Sequence, residues 1–115
     1  MNVTAETFQR DVIERSHELP VVVDFWADWC GPCRMLAPAI EAEVAKRKDK
    51  IELAKIDVDA EPALAAAYGI QSIPTVAVFL DGQPMSGFLG AQPAPAIGRF
   101  LDQAIDERPE VVAAA

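Results

Sequence analysis

The spacing of apolar positions changes several times along the chain, and each change marks an element. Phe8 and Val12 stand four apart, which places both on the inner face of a helix over residues 5–16. Thr4 serves as its cap, Glu6 falls in its first turn and Pro20 stops it. The run VVVDFW, Val21–Trp26, is β-branched and aromatic without alternation. It predicts a strand buried on both faces, the pattern of a parallel sheet. Met35, Leu36, Ile40 and Val44 then recur at helical spacing over residues 30–48, with Pro38 as a kink inside the pattern.

The segment IELAKIDV, residues 51–58, is a second strand. Residues 61–69 form a short helix, with Pro62 at its start and Gly69 at its end. TVAVFL is a third strand, and Asp81-Gly82 is a two-residue hairpin turn into a fourth that ends near Leu89. A last helix over 95–106 turns Ile97, Phe100, Leu101 and Ile105 inward. The predicted order is α-β-α-β-α-β-β-α. A parallel βαβ half followed by an antiparallel ββα half makes one mixed sheet with helices on both faces, an α/β fold.

Length and composition narrow the class. The 115 residues are enough for one domain with one modest core. With 51% apolar residues the chain is not of the disordered class. No apolar run approaches the roughly 18 residues of a membrane helix. A net charge of -8 repels phosphate backbones and anionic lipid, so neither nucleic acid nor a membrane is expected as a partner. The tail ERPEVVAAA lacks core periodicity. The domain is therefore expected over 1–107, with 108–115 a disordered tail. The N-terminus MNVTAETFQR has neither the basic flank nor the apolar core of a signal peptide, which points to a reducing, cytoplasmic compartment.

Both cysteines lie in FWADWCGPCRM, at Cys30 and Cys33. A structural zinc takes four ligands and an iron–sulfur cluster usually four cysteines. Two cysteines and His17, which sits at the end of the first helix, fall short without added carboxylates, so no metal is expected. A structural staple closing so short a loop removes little chain entropy. A redox pair uses every feature. Residues three apart on a helical turn face one way and can meet disulfide geometry. Cys30 follows a buried strand and opens a helix, whose N-terminal amides stabilise a thiolate. That thiolate is the nucleophile of disulfide exchange, and Cys33, one turn in, is the more sheltered resolving thiol.

Two charged residues sit oddly. Asp24 interrupts a strand read as doubly buried. It is either a buried carboxyl with a raised pKa or a polar residue reaching water at the strand end. Lys55, on the next strand, either partners Asp24 or snorkels to the surface. Trp26, ending the strand, reads as packing behind the cysteines. Trp29, next to Cys30, is a contact surface or is simply packed.

FWADWCGPCRM closely resembles the active-site segment of thioredoxins. VVVDFWA, Pro38, LAKIDVD, YGIQSIPT, the Asp81-Gly82 hairpin and FLGA match in register, so the likeness covers nearly all of the chain up to its tail. The resemblance implies the thioredoxin fold and a protein disulfide reductase with no bound cofactor. Its Cys30–Cys33 disulfide would be recharged by NADPH through thioredoxin reductase, and its partners would be oxidised or misfolded clients. The Gly31-Pro32 dipeptide looks like the reducing version of the motif. Asp24 is implied as the buried acid/base that serves Cys33, tuned by Lys55. Pro74 is implied to be cis and to lie beside the cysteines. Trp29, Gly31, Pro32, Ile73, Pro74, Gly90 and Ala91 would then form an apolar rim around an uncovered Cys30 sulfur, suited to extended polypeptide. A monomer is expected.

The segment DGQPMSGFLGAQPAPAIGRFLDQAI departs from the ordinary pattern. It is similar to the thioredoxin-like domain of chaperedoxins, which join holdase and redox activity and continue into helical repeats. The alternative function is thus a redox-linked holdase module that protects clients through a mixed disulfide. The chain is either a free-standing protein or a domain of a longer one.

Overall fold

The computed structural model describes residues 1–107, and the expected tail over 108–115 lies outside them. Four strands form one sheet in the order β2-β1-β3-β4: β1 Val21–Trp26, β2 Glu52–Asp57, β3 Thr75–Leu80 and β4 Gln83–Leu89. β1 pairs in parallel with β2 and antiparallel with β3, and β3 pairs antiparallel with β4. Two α-helices connect strands, α1 Gly31–Ala45 between β1 and β2 and α2 Pro62–Ala67 between β2 and β3, and α3 Ala94–Asp106 follows β4. This is the mixed sheet that the alternation of elements predicts. The missing alternation in VVVDFW follows from its place. β1 is internal, and its side chains enter two cores in turn. Val21, Val23 and Phe25 pack with Phe8, Val12, Ile56 and Phe79. Val22 packs with Leu36, Ile40, Val76, Ile97 and Leu101 under α1 and α3. By the same alternation Asp24 and Trp26 point to the α1 side.

The first helix differs from its prediction. A turn over residues 5–7 leads into a π-helix, Gln9–Glu14, and a 3₁₀ turn, Arg15–His17. Thr4 is no side-chain cap; instead its own amide donates to Thr7 Oγ1 at 3.1 Å. The predicted inner face survives, since Phe8, Val12 and Ser16 are all buried at a repeat of four. What changes is the hydrogen bonding: the Arg15 amide reaches the Arg10 carbonyl five residues back, and the end of the segment is tied to the hairpin through Ser16. Ser16 is buried because it holds the hairpin. Its carbonyl accepts from Asp81 N–H at 3.0 Å and its Oγ from Gly82 N–H at 2.7 Å. Asp81 and Gly82 both have positive φ, 51° and 82°, as a tight two-residue turn requires.

Met35 shares the spacing of Leu36 and Ile40 but not their face, and is 73% exposed. α1 is anchored to α3 by charge as well as by the core. The Arg47 guanidinium donates to Glu43 Oε1 at 3.1 Å, Asp102 Oδ1 at 2.7 Å and the Gly98 carbonyl at 3.2 Å. A Cβ at Gly98 would stand 3.0 Å from Glu43 Oε1, so glycine makes room for this junction. At the other edge Gly87 faces Ala77 across β3–β4, where a Cβ would lie 2.5 Å from the Val76 carbonyl oxygen. Gly87→Ala should push the edge strand away and cost about 1–3 kcal/mol, read as a lower urea midpoint. An unchanged midpoint would show that β4 shifts freely. Among the described residues no helix is long and apolar enough to cross a membrane.

Candidate active site

β1 ends at Trp26 and the chain turns sharply into α1. Cys30 N–H donates to the Ala27 carbonyl at 3.2 Å, and Cys30 is the N-cap, in extended conformation (φ -87°, ψ 106°). Pro32 fits the first turn, where its missing donor costs no helical bond. The Cys33 amide donates to Cys30 Sγ at 3.2 Å. A sulfur therefore occupies the capping position, where free N–H groups and the helix dipole favour negative charge. The two sulfurs form a disulfide, with Cα atoms 5.2 Å apart. In this oxidised form both cysteines are 4% exposed. The expected uncovered Cys30 sulfur, with Cys33 the more sheltered, is thus corrected: the disulfide covers both alike, and their asymmetry is one of position on the helix.

The rim residues fall into groups. Trp29 is 67% exposed, and its indole N–H donates to Asp59 Oδ2 at 2.8 Å. Asp59 is itself held by a turn in which its amide donates to Asp57 Oδ1 at 2.9 Å. A cleft lined by Trp29, Val58, Ile70 and Ile73 runs beside the indole. The Ile73-Pro74 bond is cis, and Gly90, at φ 79°, donates its N–H to the Pro74 carbonyl at 2.9 Å. Gly31, Pro32 and Ala91 are exposed. The GAQP segment is absorbed by the fold. Gly90 makes this bond, the Gln92 side-chain Nε2 donates to the Leu89 carbonyl at 3.1 Å, and Pro93 is the N-cap of α3.

Behind the disulfide lies a cavity of ≈200 Å³ lined by Asp24, Trp26, Cys33, Arg34, Ala37 and Lys55. Asp24 is 1% exposed, and neither of its carboxyl oxygens has a hydrogen-bond partner. Of its two readings, burial is the one found. Burial pushes its pKa up to about 6, against an opposing pull from Lys55 and with a smaller upward push from Glu41. Lys55 faces Asp24 across β1–β2, yet its ammonium bonds to Glu41 Oε2 at 3.1 Å and stands 5.5 Å from the Trp26 ring centroid. The Lys55 head thus reaches a half-exposed carboxylate instead of Asp24 itself.

Sequence reasoning did not single out Glu41, Asp59 or Arg34, whose guanidinium donates to the Asp28 carbonyl at 2.5 Å. Glu41 had one legible signal, since Cys33, Ala37 and Glu41 form a row four apart along α1. Asp59 had none beyond its place after a strand.

A family model described as Thioredoxin matches residues 1–103. The chain is 44% identical to Thioredoxin 1 of Synechococcus elongatus over 101 residues, covering 88% of this chain and 92% of that protein. It is 47% identical to a thioredoxin of Streptomyces clavuligerus over 98 residues, covering 85% and 89%. It is 46% identical to a thioredoxin of Mycolicibacterium smegmatis over 105 residues, covering 90% and 92%.

Proposed function

The chain belongs to the thioredoxin family and is a protein disulfide reductase acting by dithiol–disulfide exchange, and on that premise we propose how its residues divide the reaction. The observation that carries the reading is the Cys30–Cys33 disulfide at the N-terminus of α1. In the reduced protein the Cys30 thiolate, favoured by the helix end, attacks one sulfur of a client disulfide. A Cys30–client bond forms and the other client sulfur leaves as a thiolate. Asp24 takes the Cys33 proton through their shared cavity. The Cys33 thiolate then attacks Cys30 Sγ, forming the Cys30–Cys33 disulfide and expelling the second client thiolate. Two electrons pass to the client, and the expelled thiolates are protonated by Asp24 and solvent. Lys55 tempers the charge on Asp24. Trp29, Gly31, Pro32, Ile73, Pro74, Gly90 and Ala91 receive the extended client.

In this reading the protein is a monomer that carries electrons in a reducing, cytoplasmic setting. Its clients are oxidised or misfolded proteins. A thioredoxin reductase returns the disulfide to the dithiol with two electrons from NADPH. The test is NADPH consumption with a bacterial thioredoxin reductase and insulin as the disulfide substrate. Catalytic, protein-dependent oxidation of NADPH is expected. If chemically reduced protein reduces insulin while the coupled system consumes no NADPH, the electron source is a different one.

A further inference from the structure

The Asp24 carboxyl and the Lys55 ammonium lie on facing positions of adjacent strands and line one cavity. A buried carboxylate beside a lysine ordinarily forms an ion pair. Here both Asp24 oxygens are left without a partner. The lysine is held elsewhere, 3.1 Å from Glu41 Oε2. Glu41 is the next member of the row that carries Cys33 and Ala37 into the cavity, and its side chain is 53% exposed, against 22% for Lys55. The pair therefore stands at the solvent side of a chamber whose inner wall holds the unpaired carboxyl.

We propose that Glu41 is a positioning residue, which holds the Lys55 ammonium at the exposed end of the cavity and so keeps it from pairing directly with Asp24. The proposal rests on the reading of Asp24 as the proton carrier for Cys33. An Asp24–Lys55 ion pair would fix the carboxylate in its charged form, with little tendency to give its proton back. With the lysine drawn outward, the carboxyl keeps only a distant positive charge. It stays able to take and return a proton near neutral pH. Glu41's own negative charge acts in the same direction. The other groups lining the cavity with Asp24 are Cys33 and Arg34 from α1 and Asp28 from the β1–α1 turn. Val76, its neighbour on β3, brings no charge. Glu41 is thus the acceptor that decides where Lys55 points.

The test titrates the Asp24 carboxyl of the full oxidised chain by carbon-13 NMR. Wild type is compared with Glu41→Gln and Glu41→Asp, and Glu41→Gln is repeated in a Lys55→Met background. Glu41→Gln should lower the midpoint by roughly half a pH unit, since the pair is half-exposed and screened. Glu41→Asp should stay near wild type. The shift caused by Glu41→Gln should shrink by about half or more once Lys55 is absent, because little is then left to redirect. The pH midpoint of insulin reduction should move down in step. An unmoved or raised Asp24 titration in Glu41→Gln overturns the proposal, and so does an equal shift in the Lys55→Met background. Asp24→Asn separates this from the catalytic reading. If its exchange rate keeps the wild-type pH profile, Asp24 is not the proton carrier, and the carboxyl titration still decides what Glu41 does.

Discussion

Replacing Cys33 by serine should leave the protein able to attack a client disulfide but unable to release the client. Cys30 keeps its place at the helix N-terminus, so the first exchange proceeds. The serine hydroxyl cannot displace the client sulfur, and the Cys30–client bond persists. Turnover in insulin reduction should fall by more than about 100-fold, since each molecule acts once. Intact-mass analysis should find a one-to-one adduct that dithiothreitol dissolves. The complementary measurement is alkylation of the reduced wild type, in which iodoacetamide should label Cys30 well before Cys33. Both cysteines are equally covered in the disulfide form, so any difference in labelling reports the helix-end position and the reduced geometry. Adducts that accumulate in Cys30→Ser instead would reverse the two roles.

Asp24→Asn should stabilise the oxidised protein at neutral pH and slow its chemistry. The folded carboxyl has a pKa of about 6 against the ordinary 3.8, so folding favours its protonated form. That advantage is fully present below the unfolded pKa and is lost as the pH rises through the folded one. Above about pH 6 the fold carries a buried carboxylate with no hydrogen-bond partner. A difference of about two pKa units corresponds to about 3 kcal/mol. Asparagine still buries a polar amide, so a gain of about 1–3 kcal/mol at pH 8 is expected. The gain should shrink between about pH 6 and pH 4 and vanish below. Urea unfolding of the two oxidised proteins at pH 4 and pH 8 measures it. Insulin reduction should slow by about tenfold or more as the proton carrier is lost. A gain of equal size at both pH values would mean that charge burial is not its source. A variant less stable at pH 8 yet equally active would remove Asp24 from the mechanism.

Much of this protein is determined by local pattern. VVVDFW and TVAVFL read as strands because unbroken β-branched and aromatic runs have few other uses. The Asp81-Gly82 pair reads as a turn because both positions need positive φ. Cys30 and Cys33 read as a redox pair because a helix start four residues long holds all the chemistry required. The cis bond at Pro74 and the role of Asp24 came from resemblance to a family, not from any periodicity. Tertiary structure decided the rest. The N-terminal segment is a π-helix and a 3₁₀ turn instead of the α-helix its spacing predicts, and its end is tied to the hairpin 66 residues away through Ser16. Glu41 meets Lys55 across 14 residues, Asp59 meets Trp29 across 30 and Asp102 meets Arg47 across 55. Such pairs leave no trace in a window of sequence, because their distance is set only when strands and helices close around the core. Asp24 shows the division most clearly. Its place in an apolar strand announces a costly carboxyl, but that it stands unpaired was settled only when the fold brought Glu41 to the lysine.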